Sequence, residues 1–125
     1  MNRQRIKNGS AWVLSVLLTL PFILAALPKL LGTQVWVVKF ARWGYPNWFP
    51  FAIGSLELLG GILLLIPRVA KYGASILGVV MVGAAYTHLA NSEGLQVLRP
   101  IIFVMLLGLT VWLRRPEKVN LGEAV

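Results

Sequence analysis

The sequence predicts an all-α, polytopic membrane protein: a four-transmembrane-helix bundle with N-in/C-in topology, residues 1–125 forming one membrane domain. Three observations predict it. The first is composition: 58% of the 125 residues are hydrophobic and 13% are charged. A soluble domain runs at about 45–50% and about 25%, and a chain this short has too much surface to hide such an excess from water. The second is that the apolar residues fall into four long runs without the period-two alternation of a β-barrel strand. The third is the distribution of Lys and Arg between the ends of those runs.

The first span is 11–31, interrupted by Ser15, Thr19, Pro21, Pro28 and Lys29. It follows a basic N-terminal stretch in the manner of a signal peptide, but its apolar run is too long for a usual h-region. Leu27-Pro28-Lys29 also lacks the small residues of a cleavage site, so a retained span is expected. The second span, 48–66, carries one charge, Glu57, and has Pro50 in its first turn, where a missing N–H costs nothing. The third, 72–90, contains His88 and no other titratable group except Tyr72 and Tyr86. The fourth, 97–113, is interrupted near its start by Arg99-Pro100. The longest connection, 32–47, holds Trp36, Trp43 and Tyr45, residue types that favour the headgroup zone, so part of it is expected to lie in the interface.

Arg3, Arg5, Lys7, Arg68, Lys71, Arg114, Arg115 and Lys118 fall on one side of this arrangement, and Lys29, Lys39, Arg42 and Arg99 on the other. The positive-inside rule puts the richer side, with both termini, in the cytoplasm. The net charge of +8 then reads as orientation signal and contact with anionic lipid, with no nucleic acid among the expected partners. The chain has no cysteine and one histidine. That excludes disulfides and thiol redox chemistry, and it leaves too few ligands for an ordinary metal site or a paired-His haem in one chain.

A charge at mid-bilayer costs roughly 2.5–3.5 kcal/mol on insertion scales, so Glu57 should face other helices and have a partner or a role. Its helical neighbours Ile53, Gly54, Gly60 and Gly61 make a face that another helix can approach closely. Similar stripes run through Ser15, Thr19, Phe22, Ala26 and Lys29; through Ala74, Gly78, Met81, Ala85 and His88; and through Arg99, Phe103, Leu107 and Thr110. The expectation is a polar cluster of Glu57, Lys29 and His88 with Arg99 and Tyr86 nearby, held by a Lys29–Glu57 pair or a Glu57–His88 hydrogen bond. These five are the candidates for binding or proton exchange. The competing reading is structural: an ion pair that sets helix register, snorkelling Lys29 and Arg99, and a packed His88.

Several strings resemble the DoxX-like family of small four-helix membrane proteins: Leu27-Pro28-Lys29-Leu30; Gly44-Tyr45-Pro46 with Phe49; Ile53-Gly54-Ser55-Leu56-Glu57-Leu58-Leu59-Gly60-Gly61; Leu64-Leu65-Ile66-Pro67-Arg68; and Gly83-Ala84-Ala85-Tyr86-Thr87-His88-Leu89. They follow in family order and cover about the first three spans. The resemblance implies a bacterial cytoplasmic (inner) membrane protein in which Lys29, Glu57 and His88 are the functional polar residues. It also implies a place beside redox enzymes: one branch is similar to a subunit of a thiosulfate:quinone oxidoreductase, another to a membrane partner of redox-stress enzymes. The absence of cysteine departs from any thiol-based scheme. No cofactor motif is evident, and quinone is the cofactor the resemblance brings with it.

Three functions therefore compete. One is a redox-associated or quinone-linked subunit acting with a membrane or redox protein partner. The second is a small proton-coupled transporter with Glu57 as the coupling carboxylate. The third is a membrane scaffold with a structural Glu57 pair. Independent enzyme activity and homo-oligomerisation are left open by the residues.

Overall fold

The computed structural model describes residues 3–114. Among them are five α-helices and a single 3₁₀ turn: α1 (Arg3–Leu30), α2 (Gln34–Arg42), α3 (Phe49–Leu65), α4 (Ala70–Ala90), the 3₁₀ turn Gly94–Val97, and α5 (Leu98–Arg114). Arg115 and Lys118, counted above on the more basic side, lie outside the described residues. The long helices form a ring in which α1 and α4 each pack on both α3 and α5. The fifth helix, α2, lies across the end of the ring where α1 and α4 finish and α3 and α5 begin, and packs on α1 and α3.

The surface is what water would reject. Large apolar side chains stand exposed on every long helix, among them Leu17, Leu24, Leu59, Val79, Val82 and Met105. The buried faces, by contrast, include Ser15, Thr19, Lys29, Glu57, Thr87 and Thr110. Apolar residues outside and polar residues inside is the arrangement that a hydrocarbon solvent selects. Hydroxyls in the helices are satisfied locally: Ser55 donates to Phe51 O at 2.7 Å, Ser75 to Lys71 O at 2.7 Å and Thr110 to Leu106 O at 2.9 Å. This is how a side-chain donor is accommodated without water.

Asn8–Leu30, Ala70–Ala90 and Gly94–Arg114 are long and apolar enough to cross a membrane. The expected second span is a shorter apolar helix, α3, of 17 residues, about 25 Å at 1.5 Å per residue. The other boundaries move outward: α1 continues back through the basic stretch, α4 begins at Ala70, and the 3₁₀ turn extends α5 at its start. Pro100 falls in the first turn of α5 and Pro50 in that of α3, positions that need no proline N–H. The 32–47 connection is largely helix α2, which carries Trp36 and Phe40 on one side, with Trp43 capping its end.

Away from α2 the ring is tightly closed. Leu18, Phe22, Leu64, Ala74, Leu77 and Leu107 make the core. The helices α3 and α4 cross at Gly60 and Gly73: a Cβ on Gly73 would lie 2.6 Å from Gly60 O and 2.7 Å from Leu64 N. Thr19 donates to Gly61 O at 3.2 Å, tying α1 to α3, and Arg114 Nη2 donates to Ser15 Oγ at 2.9 Å, tying α5 to α1.

The buried face of α4 is Gly73, Ala74, Leu77, Val80 and Thr87. The expected stripe through Gly78, Met81 and Ala85 is therefore displaced by about one residue, or roughly 100° around the helix. Gly73, not Gly78, is the contact that fixes the rotation, since a Cβ on Gly78 would meet nothing within 4 Å.

Candidate functional site: a lined cavity under α2

Three helix ends meet at the α2 end of the ring, and all three stop in the same way. After α1, Gly32 takes φ 68° while Gly32 N–H bonds Lys29 O and Thr33 N–H bonds Pro28 O. After α2, Gly44 takes φ 90°, with Gly44 N–H on Ala41 O and Tyr45 N–H on Phe40 O. After α4, Ser92 takes φ 58°, with Ser92 N–H on Leu89 O and Glu93 N–H on His88 O at 2.8 Å. Each is a Schellman closure, which satisfies end carbonyls by turning the chain back through a left-handed residue. The third uses serine where glycine is usual, and it returns Glu93 over the last turn of α4.

Beneath these ends is a cavity of about 620 Å³, within the range of small-molecule sites. Its walls are largely apolar: Phe22, Phe49, Ile53, Leu56, Val80, Met81 and Phe103 line it. Aromatic rings of α2 and the following loop form its roof. Phe40 is the hub, with ring centroids of Trp36, Trp43, Tyr45 and Phe49 at 6.1, 5.3, 5.8 and 5.9 Å.

The polar side chains that bond one another sit in three places around that space. Lys29 and Glu57 form a buried ion pair, with side-chain exposures of 8% and 2%. Gly54 makes it reachable, because a Cβ there would be 3.0 Å from Lys29 Cβ; the bare backbone lets the lysine stem lie along α3 and reach the carboxylate one turn on. The ammonium also sits 4.4 Å from the centroid of Trp36, and Lys39 Nζ is 5.0 Å from the same ring, so the indole faces two cations.

The second place is Tyr45 and Thr87, whose oxygens are 2.6 Å apart. Thr87 spends its single hydroxyl proton on Gly83 O at 2.8 Å, so Tyr45 is the donor between them. The third is Glu93, whose Oε1 accepts from Trp43 Nε1 at 3.1 Å and lies 3.1 Å from His88 Nδ1.

The structure brings together some of the expected cluster. Lys29, Glu57, His88 and Arg99 all line the cavity. Of the two alternatives for holding Glu57, the Lys29 pair is the one formed. His88 turns instead to Glu93, which the chain reversal at Ser92 places five residues on and directly against it. Tyr86 is displaced: it is 69% exposed on the outside of α4 and does not line the cavity, because the rotation fixed by Gly73 turns position 86 away from the ring. Arg99 is exposed at the cavity and has no carboxylate partner among the described residues.

Compared with known proteins, residues 13–110 match the DoxX-like family. The chain belongs to that family. A curated relative, the uncharacterized protein YwoB of Bacillus subtilis (strain 168), is 33% identical over 78 residues, covering 62% of this chain and 50% of YwoB. The chain thus spans about half the length of that relative. No solved structure matches. A family match over most of the chain, together with an apolar exterior, makes this DoxX-like chain a membrane protein.

Several residues at this DoxX-like cavity were not among the sequence's candidates. Trp36, Phe40 and Trp43 recur at four and three residues, a helical face, and Gly44 follows as a stop; that signal was available in the 32–47 stretch. Glu93 had a weaker one, an acid immediately beyond the last turn of a helix that ends in histidine. Tyr45 and Thr87 had none, because nothing local announces a bond between residues 42 positions apart.

Proposed function

We propose that this protein spans a bacterial cytoplasmic membrane four times, with both ends inside, and serves as a quinone-linked subunit of a redox system. The observation that carries this reading is the character of the cavity: apolar walls and an aromatic roof around a few polar groups. A quinone is a flat ring with two carbonyl oxygens and an apolar tail. Rings such as those of Trp36 and Phe40 suit its faces, Arg99, with no carboxylate partner among the described residues, offers donors for a carbonyl, and the residues toward lipid suit the tail.

Glu57 would exchange the proton that accompanies reduction, with Lys29 balancing its charge when the site is dry. A chain without cysteine and with one histidine brings no evident electron carrier of its own, so electrons would pass to or from a partner protein. The short helix α3 fits a four-pass reading because α2 packs against it and adds a layer at the end where it begins.

The test is binding. The protein in lipid nanodiscs is titrated with a short-chain quinone while tryptophan emission is followed. Quenching that saturates, and that is lost in Trp36→Phe/Trp43→Phe, supports the reading. Saturable quenching that survives that double substitution, or no quenching at all, overturns it. Topology is checked separately by adding single cysteines to this cysteine-free chain. Asn47→Cys and Gly94→Cys should react with an impermeant maleimide from the outside, and Arg68→Cys should not.

A further inference from the structure

The histidine in the cavity wall is chemically set by a residue outside the expected cluster. His88 Nδ1 lies 3.1 Å from Glu93 Oε1, and the same oxygen accepts from the Trp43 indole at 3.1 Å. An ionised carboxylate can only accept, so the proton between His88 and Glu93 belongs to Nδ1. In the neutral ring that leaves Nε2 with a lone pair, and no protein group among the described residues bonds it. The ring is held in place as well: its plane meets that of Trp43 at 88°, with centroids 5.6 Å apart, and Glu93 is fixed against it by the closure at Ser92. His88 lines the cavity with a side chain 16% exposed, while Glu93 is 29% exposed.

We propose that His88 and Glu93 form a proton-accepting dyad in the cavity wall, in which Nε2 takes the hydrogen bond and then the proton of a phenolic hydroxyl on the bound ligand. The ligand class this selects is a hydroquinone, the reduced form of the molecule proposed above, and the inference rests on that reading. The proton balance is simple: the ligand O–H bond breaks, an Nε2–H bond forms, and the ring becomes an imidazolium that keeps its Nδ1 proton on Glu93. No electron moves in this step.

Glu93 faces the ring from just beyond α4, so the imidazolium that the transfer would form has a carboxylate in hydrogen-bond contact. The other charged and titratable groups around the cavity are Arg99 from α5, the Lys29–Glu57 pair from α1 and α3, Lys39 from α2, and Tyr45, whose proton is committed to Thr87. Of these groups and Glu93, only the Glu93 carboxylate bonds the ring.

The single histidine of the chain makes the test direct. Imidazole nitrogen NMR on histidine-labelled full-length protein in nanodiscs reports one ring. At alkaline pH the wild type should show the Nδ1–H tautomer. Glu93→Gln keeps an acceptor and should keep that tautomer, whereas Glu93→Ala should release it to Nε2–H. A short-chain hydroquinone should shift the Nε2 signal, and its dimethyl ether, which has no hydroxyl, should not. Glu93→Gln should bind the hydroquinone about tenfold more weakly and the ether equally well, because the ligand's bond to Nε2 persists without the carboxylate charge behind the ring. An Nε2–H tautomer in the unliganded wild type overturns the dyad while leaving the quinone reading standing. Equal Nε2 shifts from hydroquinone and ether, with binding intact, also overturn the dyad alone. Failure of hydroquinone and ether alike to quench tryptophan emission overturns both.

Discussion

The two ends of this bundle are held by different physics. Away from α2, helices meet backbone to backbone: Gly60 against Gly73, Thr19 on the carbonyl of Gly61, leucines between. At the α2 end the contacts are between side chains from distant parts of the sequence: Lys29 with Glu57, Tyr45 with Thr87, Trp43 with Glu93. The closed end can do without large side chains at its crossing because the helices approach directly. The open end keeps them apart with aromatic rings, and the cavity is the space that remains. Stability and ligand chemistry are thereby assigned to different ends, and substitutions can separate them.

The largest effect should come from the charge pair at the open end. Glu57→Ala leaves the Lys29 ammonium buried without a counter-ion, and breaking one side of a buried pair costs about 3–5 kcal/mol. A sharp fall in thermal stability in detergent, read from the far-UV signal, is expected. Replacing both partners with apolar residues of similar volume, Lys29→Met with Glu57→Leu, should recover most of that loss. If the pair is functional, the double variant folds and fails to bind quinone. A double variant that folds and binds as the wild type does would instead mark the pair as a register device.

Next comes the closed end. Gly73→Ala puts a methyl 2.6 Å from a carbonyl oxygen and 2.7 Å from a backbone nitrogen, and neither can move away as a flexible side chain could. Overpacking of this kind costs about 1–3 kcal/mol. Gly78→Ala, one residue from Leu77 on the same helix, meets open space and should be neutral or slightly stabilising through helix propensity. The contrast is measured by paired melting curves. Equal losses at both positions would mean that α4 does not have the rotation described.

That rotation also shows what the sequence could and could not say. On α1 and α3 the inward faces were legible because polar and small residues stand out against an apolar background: Ser15, Thr19 and Lys29 on one, Gly54, Glu57 and Gly60 on the other, and all are buried. On α4 small residues lie nearly all round, at Gly73, Ala74, Gly78, Gly83, Ala84 and Ala85. In lipid polarity does not mark the outward face as it does in water, and Ser75 and Tyr86 stand exposed on it, so only the close crossing at Gly73 decides. Glu57 was legible as an anomaly in its span. Its partner was one of two alternatives, because sequence spacing fixes the face of a residue but not the depth to which a lysine reaches. His88 was legible as a residue to watch, whereas its real neighbour Glu93 arrives through a chain reversal whose one left-handed residue is a serine.

The smallest effect concerns that serine. Ser92 holds φ 58°, a conformation that costs a residue with a Cβ about 1–2 kcal/mol and glycine almost nothing. The two equivalent closures at this end use Gly32 and Gly44. Ser92→Gly should therefore raise the melting temperature slightly, the glycine's larger entropy when unfolded offsetting part of the gain. Ser92→Val, with a branched Cβ, should lower it. The same pair of variants tests whether the turn serves the dyad: glycine should leave His88 in its Nδ1–H tautomer, and valine, by pulling Glu93 out of register, should let the proton move to Nε2. If glycine lowers stability and valine leaves the tautomer in place, Glu93 reaches His88 by some route other than the closure at Ser92.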